Sequence, residues 1–153
     1  MNKLLIKTIH NEAKIPFYAK EGDAGLDLFT VEDTLIPSCE ARAIKTGLTI
    51  ALPQGTEGQI RPRSGNSLNG VPCYVGEELK KVYVQVAIGT VDFGYRGEIG
   101  IITYNPTGND VIVPAGTKLA QMVINKIERP VIEIVEELTE TDRGSNGFGS
   151  TGV

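Results

Sequence analysis

The sequence predicts an all-β fold, a sandwich, barrel or jelly roll with at most one short helix. Three observations point there. Eighteen glycines and eight prolines break 153 residues into short runs, those runs are rich in β-branched residues, and long segments with a 3.6-residue apolar period are scarce. Pro37, Pro53, Pro62, Pro106, Pro114 and Pro130 fall at the edges of apolar runs, where a missing amide does no harm to a ladder.

Taken in order, Leu4 to Ile9 reads as a first strand, and the polar stretch Tyr18 to Asp23 as a loop leading into a second at Ala24 to Phe29. Leu35-Ile36-Pro37, Ala41 to Leu52 and Thr56 to Ile60 continue the pattern. Ser64 to Gly70 has a capping serine at one end and a glycine stop at the other, and is the place for the short helix. Strands resume at Val82 to Val91, Ile99 to Tyr104, Val111 to Val113, Lys118 to Lys126 and Val131 to Val135. Both faces of Ile99 to Tyr104 are apolar, which predicts burial on two sides, within a sandwich or against another subunit. Residues 140–153 are polar and glycine-rich and have almost nothing to bury, so a core domain over 1–139 is expected to carry a flexible tail.

Composition narrows the function. A net charge of −4 with scattered lysines and arginines leaves no basic stripe for a nucleic-acid backbone. No apolar run approaches 18 residues and no signal peptide opens the chain, so a cytoplasmic protein without a membrane segment is expected. Cys39 and Cys73 have no metal-ligand spacing and read as free thiols, and a lone His10 cannot build a histidine-based triad.

The candidate chemistry centres on Gly89 to Glu98, expected to be the turn end of a hairpin between Val82–Ile88 and Ile99–Tyr104. Period two places Val82, Val84, Val86 and Ile88 on one face and carries Thr90 and Asp92 onto it, so a carboxylate is expected to follow four aliphatics toward the core. Such a group is either desolvated and useful or caps its own turn. Asp27 sits in an otherwise apolar strand, Arg63-Ser64-Gly65 joins a guanidinium to hydroxyl and amide donors, and Gln121 puts an amide on the Leu119/Val123 face. Each has an ordinary structural explanation as a paired acid, an ion-pair partner or a satisfied amide. Together they suit a single chemistry, in which Arg63, Ser64 and Gly65 bind phosphate oxygens, Asp27 serves a hydrated Mg²⁺, and Asp92 polarises a water. In the tail, Arg143 with glycine amides and hydroxyls can wrap phosphates and Phe148 can stack on a base. It is no P-loop, since no Lys-Ser/Thr follows its glycines.

Ala24-Gly25-Leu26-Asp27-Leu28, Pro62-Arg63-Ser64-Gly65, Gly89-Thr90-Val91-Asp92 with Tyr95-Arg96-Gly97-Glu98, Ala120-Gln121, and Arg143-Gly144 with Gly147 to Gly152 occur in this order along nearly the whole chain. They closely resemble the five motifs of the homotrimeric dUTP diphosphatases. The resemblance implies a jelly-roll-like β-sandwich, a homotrimer with shared active sites, and Mg²⁺-dependent hydrolysis of dUTP to dUMP and pyrophosphate. It assigns Asp92 to the attacking water and the sugar 3′-hydroxyl, and Tyr95 to the face of the deoxyribose. Backbone groups around Thr90, Val91 and Gly100 would pair with uracil. Arg63, Ser64, Gly65 and Gln121 would bind phosphates from a second subunit. Asp27 would hold a metal-bound water, while Arg143, Phe148, Gly149 and Ser150 would close over the substrate from a third.

The substrate-binding set includes Val86, where the family commonly has an asparagine contacting uracil; Gln85 alternates to the opposite face. Asn66 likewise stands where an apolar residue is more usual. The alternatives are a dCTP deaminase of the same fold and, from a different class, a β-module whose nucleotide occupancy regulates a protein partner. The Asp92/Tyr95 pair and the Gly-Phe-Gly-Ser-Thr tail favour the hydrolase.

Overall fold

The computed structural model describes residues 3–145. Among them the chain runs through β1 (Leu5–Thr8), β2 (Gly25–Phe29), β3 (Thr34–Ile36), β4 (Ala41–Lys45), β5 (Leu48–Ala51), β6 (Thr56–Pro62), α1 (Ser64–Asn69), β7 (Val71–Val75), β8 (Glu78–Val82), β9 (Gln85–Val86), β10 (Gly89–Val91), β11 (Gly100–Tyr104), β12 (Val111–Val113) and β13 (Lys118–Lys126). The sheet orders are β1-β5, β10-β6-β13-β2, β4-β11-β9 and β3-β12-β7-β8. Neighbours are rarely consecutive in sequence, as a jelly-roll-like sandwich requires. Inward side chains from all four sheets, among them Leu28, Ile36, Ile44, Leu48, Ile101, Val113 and Leu119, merge into one core. Cys39 and Cys73 are free thiols; Cys73 lies in that core, and burial pushes its thiol up to about 11.

Most expected strands form within a residue or two of their expected ends, and β12 and β13 coincide with them. The expected Ala41–Leu52 strand is instead two, broken at Thr46-Gly47. Gly47 has a φ of 70°, and a Cβ there would lie 2.8 Å from the Ala13 Cβ, so the chain can turn this corner only with glycine. The β7–β8 hairpin has no counterpart among the expected strands, because Pro72 and the charged run Glu77 to Lys81 disguise it; Pro72 pairs with Lys81 on an otherwise regular ladder. In the expected helix, Ser64 is the first helical residue and Arg63 the N-cap, with no side-chain cap bond. The glycine stop is present: Gly70 has a φ of 76° and its N–H donates to the Asn66 carbonyl.

The run from Val82 to Val91 departs furthest from simple alternation. Val82 and Val84 are buried, but Ile88 is 67% exposed and the next buried residue is Val91. The reason is a change of partner. β9 pairs with β11 through Val86↔Thr103 and Gln85↔Tyr104, whereas β10 crosses to another sheet and pairs with β6 through Thr90↔Gln59. The segment between these ladders resets the phase, so the residues from Gly89 to Glu98 close no simple hairpin and Asp92 is exposed.

β13 is the last strand among the described residues, and just beyond it the Ile127 N–H donates to the Gly55 carbonyl. The strand expected at Val131–Val135 does not form. The segment lies in the open with Val131, Ile132 and Ile134 more than nine-tenths exposed, and no strand among the described residues pairs with it.

Candidate active site

Asp92 opens a turn that the chain ties at several points. The Tyr95 N–H donates to the Asp92 carbonyl at 3.0 Å, and the Tyr95 hydroxyl donates to the Glu98 carbonyl at 3.0 Å. Arg96 donates to the carbonyls of Phe93 and Tyr95. The Glu98 carboxylate accepts from the Gly47 N–H at 2.8 Å, fastening the turn to the corner between β4 and β5. Gly97 leaves room for the Tyr95 ring, which a Cβ at this position would push aside. The Asp92 carboxylate itself makes no hydrogen bond or ion pair among the described residues. It is therefore not the cap of its turn but an open acceptor on a braced loop. Beside it a cleft of about 210 Å³ is lined by Ile60, Thr90, Val91, Tyr95 and Gly100.

A second cleft, of about 200 Å³, gathers Asp27, Arg63, Ser64, Gly65 and Gln121 together with Asp23 and Gly25. Sheet order explains the grouping. β13 lies between β2 and β6, so Gln121 stands opposite Asp27 on one side and Arg61 on the other. The Gln121 side chain donates to the Pro62 carbonyl at 3.0 Å, and a Cβ on Gly25 would collide with its amide, so motif glycine and motif glutamine fit each other. Asp27 is 5% exposed. Its Oδ1 accepts from Arg63 Nε at 2.9 Å, and Lys118 Nζ lies 2.8 Å from Oδ2. Oδ2 nevertheless lacks an aligned donor; the ammonium approaches from the side, and the contact is Coulombic.

The other expected site residues lie apart from these clefts. Val86 is partly buried and lines a third cleft of about 530 Å³ with Gln85, Tyr83, Asn66 and Arg63, not the one beside Asp92. Arg143 lies on the exposed C-terminal segment. Phe148, Gly149 and Ser150 are outside the described residues.

Three contributors have roles that the sequence reading does not assign. Asn66 donates to the carbonyls of Lys118 and Leu119, at 2.9 and 3.1 Å, and ties α1 to β13. Glu98 braces the Asp92 turn. Lys118 is hidden by a bulge between Lys118 and Ala120: strict alternation puts residues 118 and 121 on opposite faces, but the shifted register pairs them with Phe29 and Asp27, which share a face.

Among the described residues no three His, Cys, Asp or Glu side chains gather to cage a metal. The second cleft offers Asp27 and Asp23. Such a sparse donor set, already contacted by cations, fits a hydrated Mg²⁺ that takes its remaining ligands from phosphates and water.

The family model described as dUTPase matches residues 11–152. The chain is 48% identical over 152 residues to a deoxyuridine 5′-triphosphate nucleotidohydrolase of Clostridium kluyveri, covering 99% of each chain. It is 49% identical over 151 residues to that of Clostridium novyi, again with 99% of each covered. In structure it resembles the Staphylococcus bacteriophage 80alpha dUTPase with dUpNHpp, with a TM-score of 0.86 and 26% identity over the whole of both chains. A mutant dUTPase of phage phi11 of S. aureus, described with a structural Mg(II) ion, gives a TM-score of 0.78 at 25% identity, covering 91% of this chain and all of that one. Family match, near full-length identity and shared architecture agree, and the chain belongs to the dUTPase family.

Proposed function

We propose that the protein hydrolyses dUTP at the α-phosphorus, releasing dUMP and pyrophosphate, in a site shared between copies of the chain. The observation that carries this reading is the exposed, unpartnered carboxylate of Asp92 on a turn braced by Tyr95, Arg96 and Glu98. An acceptor held still and left open is what alignment of a water nucleophile needs. Asp92 orients that water, takes its proton and contacts the 3′-hydroxyl. Tyr95 lies against the deoxyribose where a 2′-hydroxyl would clash, and the backbone of Thr90, Val91 and Gly100 meets the uracil edge. Arg63 with the Ser64 and Gly65 donors and Gln121 holds the phosphates. Asp27 would hold a Mg²⁺ ion through a water, and the ion would supply charge neutralisation to the phosphates.

Size supports sharing between copies. Each of the two motif clefts is near 200 Å³, below the roughly 300–1,000 Å³ of pockets that bury a ligand of this kind. Neither motif cleft alone encloses a nucleoside triphosphate, which supports a site completed by surfaces from other copies of the chain. Apolar groups left in the open, including Ile88, Ile102 and the segment from Val131 to Leu138, supply surface for such an assembly. We assign it as a homotrimer in which the tail from Glu140 closes over a neighbour's site, with Arg143 on phosphate, Phe148 on uracil and Gly149 and Ser150 beside the phosphates.

Pyrophosphate release measured across dUTP, UTP, dTTP and dCTP tests the reading. Turnover confined to dUTP is expected; ammonia released from dCTP, or equal turnover of UTP, overturns it. Truncation after Asp142 is expected to preserve the assembly and its melting temperature while removing most turnover. Unchanged turnover would refute the role given to the tail.

A further inference from the structure

The phosphate cleft contains a charge arrangement that substrate contacts alone leave unexplained. Asp27 meets Arg63 through Nε only, and no hydrogen bond among the described residues engages the terminal guanidinium nitrogens. Carboxylates facing arginine usually prefer two parallel bonds. Here the second oxygen is held by Lys118, whose Nζ lies 2.8 Å away. The lysine is fixed in turn: its ammonium lies 5.6 Å from the ring centres of both Phe17 and Phe29, which stack at 6.0 Å. The bulge in β13 turns Lys118 to this side.

We propose that Lys118 is a positioning residue of the phosphate half-site. By occupying Asp27 Oδ2 it stops the carboxylate from forking onto Arg63, so Asp27 grips Nε alone and both terminal nitrogens of Arg63 stay available to the triphosphate. The inference rests on the assignment of this cleft to phosphates. Without Lys118, Asp27 is a buried anion with a free oxygen and a single cation beside it; it draws the guanidinium into a two-bond pair and away from the ligand.

Two effects need separating, because loss of a lysine also removes positive charge. Lys118→Met lowers the local charge by one in any background, but it frees a carboxylate to fork onto Arg63 only where Asp27 is present, so the substitution is made both in the wild type and in Asp27→Asn. The double variant also has no buried anion to compensate, so it keeps the comparison readable where Lys118→Met alone loses stability. Lys118→Arg keeps the cation.

The measurements are calorimetric binding of inorganic tripolyphosphate without metal, and kcat and KM for dUTP with Mg²⁺, all on the full chain. Lys118→Met is expected to weaken tripolyphosphate binding about tenfold, the order of one charge-assisted hydrogen bond, and to raise KM alike with kcat within about twofold. Lys118→Arg recovers most of the loss, and in the Asp27→Asn background, where no carboxylate can draw Arg63 away, adding Lys118→Met changes tripolyphosphate affinity by no more than about twofold. Wild-type affinity in Lys118→Met overturns the proposal, as does an equal loss when Lys118→Met is added to Asp27→Asn, or a Lys118→Arg protein no better than Lys118→Met. If the wild type turns over no dUTP while the tripolyphosphate series follows this pattern, the substrate assignment fails and the role of Lys118 stands. Rapid dUTP turnover without the pattern removes the role of Lys118 alone.

Discussion

Replacing Asp92 with asparagine is expected to lower kcat for dUTP by about 10²- to 10⁴-fold, the usual contribution of a general base, with KM changed no more than a few-fold. The amide has nearly the shape of the carboxylate but cannot take a proton from water. The structure makes the substitution clean. The Asp92 side chain is exposed and joins no hydrogen bond or ion pair among the described residues, so its replacement breaks no structural contact. The turn is held by the Asp92 carbonyl and by Tyr95, Arg96 and Glu98, all of which the variant keeps. Stability should therefore change by no more than about 0.5 kcal/mol, as for surface positions generally. Steady-state kinetics paired with a thermal melt checks both halves. Equal losses in kcat and in dUTP affinity would reduce Asp92 to a shaper of the loop.

That expectation rests on an exposure that alternation in the sequence gets wrong. Counting by twos from Val82 carries Asp92 toward the core, and the count fails because β9 and β10 belong to different sheets. A change of ladder partner is a tertiary event, and nothing between Val86 and Gly89 announces it: the residues there are Ala87 and Ile88, both acceptable in a continuous strand. Local chemistry is legible wherever one residue type has one use, as at the Gly70 stop and in β12 and β13. The candidate residues are legible too, since Asp27, Arg63 and Gln121 are unusual where they stand and strand order brings them together. What cannot be read is the company they keep. Lys118 reaches Asp27 only through a bulge, and Asn66, an oddity in the sequence, ties α1 to β13. The segment after Ile127 misleads for a related reason: Val131 to Val135 has the composition of a strand, but no strand among the described residues pairs with it.

The largest loss of stability is expected from Asn105→Ala, at about 3–5 kcal/mol, the sum of several lost hydrogen bonds and the groups they leave unsatisfied. Asn105 is 0% exposed and closes three segments on one amide. Its Nδ2 donates to the carbonyls of Ile36, Pro37 and Asn109 at 3.0, 3.3 and 2.8 Å. Its Oδ1 accepts from the Thr107 N–H and hydroxyl at 3.0 and 2.7 Å. The end of β3, the end of β11 and the loop before β12 thus meet at a side chain that the motif Tyr104-Asn105-Pro106 presents as an ordinary turn residue. Alanine leaves these carbonyls and the Thr107 N–H without their partner, the Ile36 carbonyl in a fully buried position. Aspartate keeps the shape but turns a carboxylate toward three carbonyl oxygens, so Asn105→Asp should be at least as damaging at neutral pH despite its size. For a chain of this length the alanine variant should melt about 10 °C lower, while the protein that remains folded at low temperature keeps wild-type kcat, because Asn105 lines neither motif cleft. A fall in melting temperature below about 3 °C, or an aspartate variant more stable than the alanine one, would mean that water or a backbone shift replaces the amide and that the three segments are held by their packing alone.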